Sequence, residues 1–209
     1  MNTPHVEIEL RYKVEDVDAC LEQLALQHIQ VARTERLIDQ WFAPNFVHDM
    51  PAEEKWFDHD KGVAWRIRRS TNDGQESLDV TSKQLTNDNN HNSFHEVTTH
   101  YDSYQDALQA MQDLQYYNWL TVDKTRYFFT SKNPDISDTE VEMVLDYVDG
   151  LAAKVGVGAC LEIECKSEAT RTDALKRIQQ IATKCGFSPE DQFEKSLTVL
   201  SMSALAKFK

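Results

Sequence analysis

The chain has 209 residues, 41% of them hydrophobic and 27% charged, with a formal net charge of -13. That composition is ordinary for a globular protein that buries a core, and the length points to one domain over residues 1–209. The acidic balance excludes a general nucleic-acid or anionic-membrane surface, but it leaves room for a basic site inside an acidic shell. No apolar run is long enough to span a membrane, and the opening MNTPHVEIEL lacks the apolar core of a signal peptide, so a cytoplasmic protein is expected. The four cysteines, Cys20, Cys160, Cys165 and Cys185, form no CxxC pair, which reads as reduced thiols and not as a zinc ribbon.

Along the chain, VEIELRY (Val6–Tyr12) alternates as a strand, and Glu15–Gln30 carries a helical stripe of Val17, Leu21, Leu24 and Ile29 with Asp16 as its cap. RLIDQWF reads as a strand and is followed by a long polar segment. VAWRIRRS and LDVTSKQ flank the turn signal Asn72-Asp73-Gly74 and form an expected hairpin. FHEVTTH is a further strand, and Asp102–Tyr117 a second helix. Strand signals return at TVDKTRYFF, VEMVLDYV and CLEIEC. A helix runs from about Thr170 to Cys185, stopped by Gly186, and another is expected from Gln192 onward. About eight strands joined mostly by short turns, with helices at three places, predict an antiparallel α+β arrangement.

The chemistry lies in the phase of the charges. Residues two apart on a strand share a face. Glu7, Glu9 and Arg11 therefore share one face, opposite Ile8, Leu10 and Tyr12. Arg66 and Arg68 share a face, as do Lys124 and Arg126, and so do Glu162 and Glu164. Lys83 ends another strand, and Asp146 lies within VEMVLDYV. A single alternating strand is usually just half solvated. Two strands with paired acids and two with paired bases differ from a surface, which mixes signs. If the sheet closes into a barrel, these faces meet in one charged lumen while the apolar faces turn outward under the helices. Clustered Arg and Lys suit a polyanion, and clustered carboxylates suit a hard divalent cation such as Mg²⁺ or Mn²⁺. Together they describe a site for a metal-bound polyphosphate.

With these motifs in hand, the chain resembles the CYTH family of triphosphate tunnel metalloenzymes, which includes class IV adenylyl cyclases, thiamine triphosphatases and inorganic triphosphatases. The family's ExExK is similar to Glu7-Ile-Glu9-Leu-Arg11, its basic pairs to Arg66-Ile-Arg68 and Lys124-Thr-Arg126, its mid-chain lysine to Lys83, and its acidic strand to Glu162-Ile-Glu164 with Asp146 before it. The resemblance implies an eight-stranded antiparallel closed barrel, a tunnel, with helices packed on the outside. It implies metal ligands at Glu7, Glu9, Asp146, Glu162 and Glu164. Arg11, Arg66, Arg68, Lys83, Lys124 and Arg126 would grip the phosphates, and Glu7, Glu9 and Lys83 would be catalytic.

The chain departs from the family at Arg11, where lysine is usual, and at FHEVT, which keeps only Glu96 of RxExE. DYVDGLAAKVGVG carries an insertion before the acidic strand, and Ser196-Leu197 stands where the family has Ser-Tyr. The expected activity is a metal-dependent triphosphatase acting on inorganic or small organic triphosphate. Cyclisation of ATP by a class IV adenylyl cyclase is the alternative, and a non-catalytic polyphosphate or nucleotide sensor the third reading. The expected partners are a small triphosphate or nucleotide, with no nucleic acid and no membrane, in a monomer or homodimer.

Other features read as structure. His91, His95 and His100 lack the spacing of a zinc site. Trp56-Phe57-Asp58-His59 reads as an aromatic loop packed on the barrel, and Tyr12 as a packing residue on the apolar phase of its strand. Gly156 and Gly158 lack the Lys-Ser/Thr of a phosphate loop.

Overall fold

A computed structural model of the chain describes residues 5–44, 63–85, 93–132, 141–165, 170–193 and 195–205. Its strands are β1 (His5–Val14), β2 (Ile29–Pro44), β3 (Val63–Asn72), β4 (Gln75–Leu85), β5 (Ser93–His100), β6 (Tyr116–Ser131), β7 (Val141–Tyr147), β8 (Ala159–Cys165) and β9 (Gln192–Phe193). Its α-helices are α1 (Val17–Leu26), α2 (Tyr104–Asp113), α3 (Ala152–Val155), α4 (Arg171–Lys184) and α5 (Leu197–Leu205). All strand pairings are antiparallel, in the order β5-β4-β3-β2-β6-β7-β8-β1-β9, with a further pairing of β5 on β1.

The expected architecture holds as an antiparallel α+β fold and needs correction in two respects. There are nine strands among the described residues, not eight, because Gln192–Phe193 pairs with Arg11 and Tyr12 instead of opening a helix. The sheet is also not the sealed barrel expected. One edge of β1 is divided, with His5–Ile8 against β5 and Arg11–Tyr12 against β9, so β5 meets β1 through only four residue pairs.

Local chemistry explains the element boundaries. Asp16, Ser103 and Thr170 each accept a backbone N–H from the first turn of their helices, at 3.0, 3.3 and 3.3 Å. The expected helices over Glu15–Gln30 and Asp102–Tyr117 both stop early for one reason. His28 and Gln115 each take a left-handed turn at φ 62°, and Ile29 and Tyr116 then begin strands. The turn after Asn72 places Asp73 at φ 49° and Gly74 at φ 78°, the doubly left-handed geometry of a tight hairpin.

The alternation of β1, β3 and β8 sorts the layers. Ile8, Leu10, Tyr12, Leu161 and Ile163 are buried under α4, against Ala174, Ile178 and Ile181. Ile67 and Val80 are buried with Ala107 and Met111 of α2. The apolar faces thus turn outward beneath helices, as the phase of the charges predicts. Tyr12 packs its ring 5.5 Å from that of Phe187, and its hydroxyl is pushed up to about 12 by burial, with a smaller contribution from Cys185. It is a packing residue. A third cluster, including Trp41, Leu120, Val122 and Cys160, closes against Leu197 and Met202 of α5. Among the described residues no helix is long and apolar enough to cross a membrane.

Gln115 is exposed and holds a left-handed conformation that costs an L-residue roughly 1 kcal/mol. Gln115→Gly is expected to raise the urea midpoint, by up to about 1 kcal/mol of stability, without changing the denaturant slope.

Candidate functional site

The charged faces meet in one cavity of about 200 Å³. Six basic side chains line it, Arg11, Arg66, Arg68, Lys83, Lys124 and Arg126, together with five acidic ones, Glu9, Glu96, Glu142, Glu162 and Glu164. Trp41 of β2 and Ser196, Thr198, Val199 and Met202, at and within α5, complete the wall.

Two carboxylates that do not line the cavity set its floor. Asp39 of β2 lies directly across from Arg68 of β3 and accepts two hydrogen bonds from it, at 2.6 Å from Nε and 2.7 Å from Nη2. Asp146 of β7 lies across from Arg126 of β6 and accepts its Nε at 2.6 Å and Nη2 at 2.7 Å. Lys124 stands between them, hydrogen-bonded to Asp146 and 3.5 Å from Asp39. Both aspartates are 1% exposed. Burial by itself raises a carboxyl pKa. At Asp39 the charges of Arg68, Lys124 and Arg66 reverse this and hold the group well below the usual carboxylate range. At Asp146 the charges of Arg126 and Lys124 do the same. Burial pushes the Lys124 ammonium down, and the Asp146 carboxylate only partly restores it. Burial lowers Arg126, but the charge and hydrogen bonds of Asp146, together with the charges of Glu162 and Asp39, more than offset it and hold the guanidinium above its usual range.

Above the floor, the register aligns acids in rows. Glu164 of β8 is directly opposite Glu9 of β1 on one side and Glu142 of β7 on the other. Glu162, one step along β8, is opposite Arg11, whose Nε is 3.5 Å from it, and it also accepts Arg126 Nη2 at 3.2 Å. Arg11 is also hydrogen-bonded to Glu9. On the far wall Glu96 of β5 pairs with Lys83 of β4 at 2.9 Å and with Arg66 at 3.4 Å. Glu9, Glu162 and Glu96 thus each neutralise a neighbouring base.

Every expected residue whose side chain is described is in this assembly. Glu9, Arg11, Arg66, Arg68, Lys83, Lys124, Arg126, Glu162 and Glu164 line the cavity. Asp146 lies beneath it, committed to Lys124 and Arg126. Glu7 belongs to β1 opposite Phe94, but its side chain falls outside the described residues. The segment holding Trp56-Phe57-Asp58-His59 and His91 likewise falls outside them. His100 makes a 3.3 Å contact to Asp79 on the exposed part of β5.

Four lining or floor residues on the strands lie outside the expected set, as do Ser196, Thr198, Val199 and Met202 at and within α5. Glu142 was detectable, since it shares the strand phase of Asp146. Glu96 was visible only as a remnant of a family motif. Asp39 carried the signal of an acid inside an otherwise apolar strand, RLIDQWF, and Trp41 shares its phase.

The donor set fits a hard divalent cation by type, because Glu9, Glu142, Glu162 and Glu164 offer only carboxylate oxygens. Among the described residues, no three His, Cys, Asp or Glu side chains already stand in metal-holding geometry. The acids are instead arranged around bases.

A CYTH domain model matches residues 5–197, and the chain belongs to that family. No curated protein matches it. Among solved structures, the PH1819 protein of Pyrococcus horikoshii is similar at a TM-score of 0.73 and 19% identity, over 95% of this chain and 99% of that one. A candidate adenylate cyclase of Vibrio parahaemolyticus is similar at 0.68 and 16%, over 95% and 98%. The candidate adenylyl cyclase HpAC1 of Hippeastrum, described as having a dominant triphosphatase activity, is similar at 0.52 and 12%, over 95% and 94%. At these identities the likeness is one of fold.

The depressed Asp39 carboxyl has a sign-defined consequence. Its stabilising effect is complete above its unfolded pKa near 3.9 and is lost as pH falls through the lower folded value. Asp39→Asn is therefore expected to destabilise the protein by about 3 kcal/mol at pH 7, because it leaves Arg68 and Lys124 under-compensated. The deficit relative to wild type should shrink below about pH 4, as measured by urea unfolding across the pH range.

Proposed function

We propose that this protein is a divalent-metal-dependent triphosphatase of one domain that binds inorganic or small organic triphosphate in the cavity between its strands. The observation that carries this reading is the sorting of six basic and five acidic side chains into one cavity. A surface would scatter these charges, and a core would exclude them.

Arg11, Arg66, Arg68, Lys83, Lys124 and Arg126 would hold the phosphate oxygens, the arginines through forked contacts and the lysines as point charges. Asp39 and Asp146 would keep Arg68, Lys124 and Arg126 charged and pointed inward. Glu9, Glu162, Glu164 and Glu142 would hold the cation, with Glu7 as a further expected ligand. Three glutamates directly opposed across β7, β8 and β1 repel one another, an arrangement that a cation relieves. The bound metal would neutralise charge on the phosphoryl group as its bond breaks.

Loading this site is an exchange of partners. Arg11, now held by Glu9 and Glu162, and Arg66 and Lys83, now held by Glu96, turn to phosphate as the β1 and β8 glutamates turn to metal. The bases thereby act where charge develops in the transition state. Arg11 in place of lysine stays protonated and serves only as a charge and donor. Glu9 would help hold the cation, and Lys83 would bring positive charge to the reacting phosphoryl group.

The cavity lining favours a compact, highly charged triphosphate, since eleven of its sixteen residues are charged. Cyclisation of ATP is the second reading, supported by the description of the Vibrio parahaemolyticus neighbour as a candidate adenylate cyclase, whereas the Hippeastrum neighbour is described with a dominant triphosphatase activity. It requires the ribose hydroxyl to reach the α-phosphate inside this space.

With Mg²⁺ or Mn²⁺, wild-type protein is expected to release phosphate from inorganic triphosphate, and Glu9→Gln to lower that rate by roughly 100-fold. Cyclic AMP from ATP, with no phosphate from triphosphate, would transfer the assignment to a cyclase. Binding with no turnover of either substrate would make it a sensor. Glu142→Gln should raise the Mn²⁺ concentration needed for half-maximal rate by about ten-fold, with the maximal rate largely restored at high metal.

A further inference from the structure

Trp41 lies on β2 directly across from Arg66 of β3. Its indole is 5% exposed and lines the cavity. Its Nε1 is buried and has no hydrogen-bond partner among the described residues, and the same holds for Nε of Arg66, itself 8% exposed. The Arg66 guanidinium lies over the indole ring, 5.5 Å from its centroid. Its Nη2 makes only two long contacts, 3.4 Å to Thr81 and 3.4 Å to Glu96.

A buried N–H with nothing to donate to is unfavourable, so buried donors in folded proteins are nearly always satisfied. Here two such donors come from facing positions on neighbouring strands and belong to the same cavity wall. Both are pure donors, since an indole N–H and a guanidinium N–H cannot accept. They therefore select an acceptor, and a tetrahedral oxyanion presents several close together. The contact of ring and guanidinium fixes their relative position before any ligand arrives.

We propose that Trp41 is a binding residue for the anion, its indole N–H and the Nε–H of Arg66 donating together to the non-bridging oxygens of a single phosphoryl group. This deepens the triphosphatase reading and rests on it. It places that phosphoryl group at the Trp41 end of the cavity, beside Val199 and Met202, where apolar neighbours strengthen each hydrogen bond. The neutral indole donor adds selectivity for an acceptor without adding charge.

The probe is the methylene-bridged, hydrolysis-resistant analogue of inorganic triphosphate with Mg²⁺, titrated calorimetrically into wild type, Trp41→Phe, Arg66→Lys and Trp65→Phe. Trp41→Phe keeps an aromatic ring under Arg66 and removes only the donor. It is expected to weaken binding about ten-fold, the effect of one hydrogen bond to a charged acceptor. Trp65→Phe, on the outward face packed near α2, should bind as wild type does. When the same analogue is titrated into wild type and followed by proton NMR, the Trp41 indole proton should move downfield, and this readout survives even if Trp41→Phe fails to fold. If wild type binds and Arg66→Lys weakens binding, yet Trp41→Phe does not and the indole proton stays in place, the Trp41 assignment is wrong while the triphosphatase reading stands. If wild type does not bind the analogue, both fall together.

Discussion

Lys124 stands between two buried aspartates, and those aspartates in turn hold Arg68 and Arg126 by paired hydrogen bonds. This five-residue chain is what allows a charged interior to exist in a folded protein. Removing any one charge from water is costly unless a partner is fixed at close range. Asp39 and Asp146 supply that partnership from strands on either side of β6, and each faces an arginine across the ladder. The cost of burying three cations is offset within the sheet itself, so the basic wall stands before any ligand arrives.

The acids above this floor have a different relation to the bases. Glu9, Glu162 and Glu96 hold Arg11, Arg126, Arg66 and Lys83 through contacts that include several longer than 3 Å. The two aspartate–arginine pairs of the floor are short and doubled, whereas the upper walls mix short contacts, such as Lys83–Glu96 at 2.9 Å, with longer single ones. A site of this kind keeps its shape through the floor and keeps its upper charges available for exchange. The row Glu142-Glu164-Glu9 adds a repulsion that only a cation or a base can relieve. On the proposed reading, binding of metal and of anion to such a site would be mutually reinforcing, since each releases the partner the other needs.

The inversion of the usual sheet logic follows from where the helices lie. α4 covers the apolar side of β1 and β8, and α2 covers that of β3 and β4, so the interior faces are free to be polar. α5 closes the cavity from one side with Leu197 and Met202 in the apolar cluster and Thr198 and Val199 on the wall. Trp41 belongs to both that cluster and the cavity, and so marks the boundary between the apolar end and the charged centre.

The sequence by itself determined the phase of each strand, because a period of two is a local property. VEIELRY, AWRIRR, VDKTRYF and CLEIEC already state which side chains share a face, and the order of those motifs resembles one family. Nine of the expected site residues meet in the cavity for that reason. Register and partnership were decided only by the tertiary structure, since they join strands far apart in the chain. Nothing in VEMVLDYV states that Glu142 will stand beside Glu164, or that Asp146 will be spent on Lys124 and Arg126. The role of Asp39 was hidden for the same reason, as an acid in an apolar strand shows its purpose only when Arg68 is opposite. The helix ends after Leu26 and Asp113 also escaped a reading by periodicity, because the left-handed turns at His28 and Gln115 use residues that carry no glycine signal. The division of one edge of β1 between β5 and β9 depends on strands far along the chain, at Ser93–His100 and Gln192–Phe193, which no local pattern encodes.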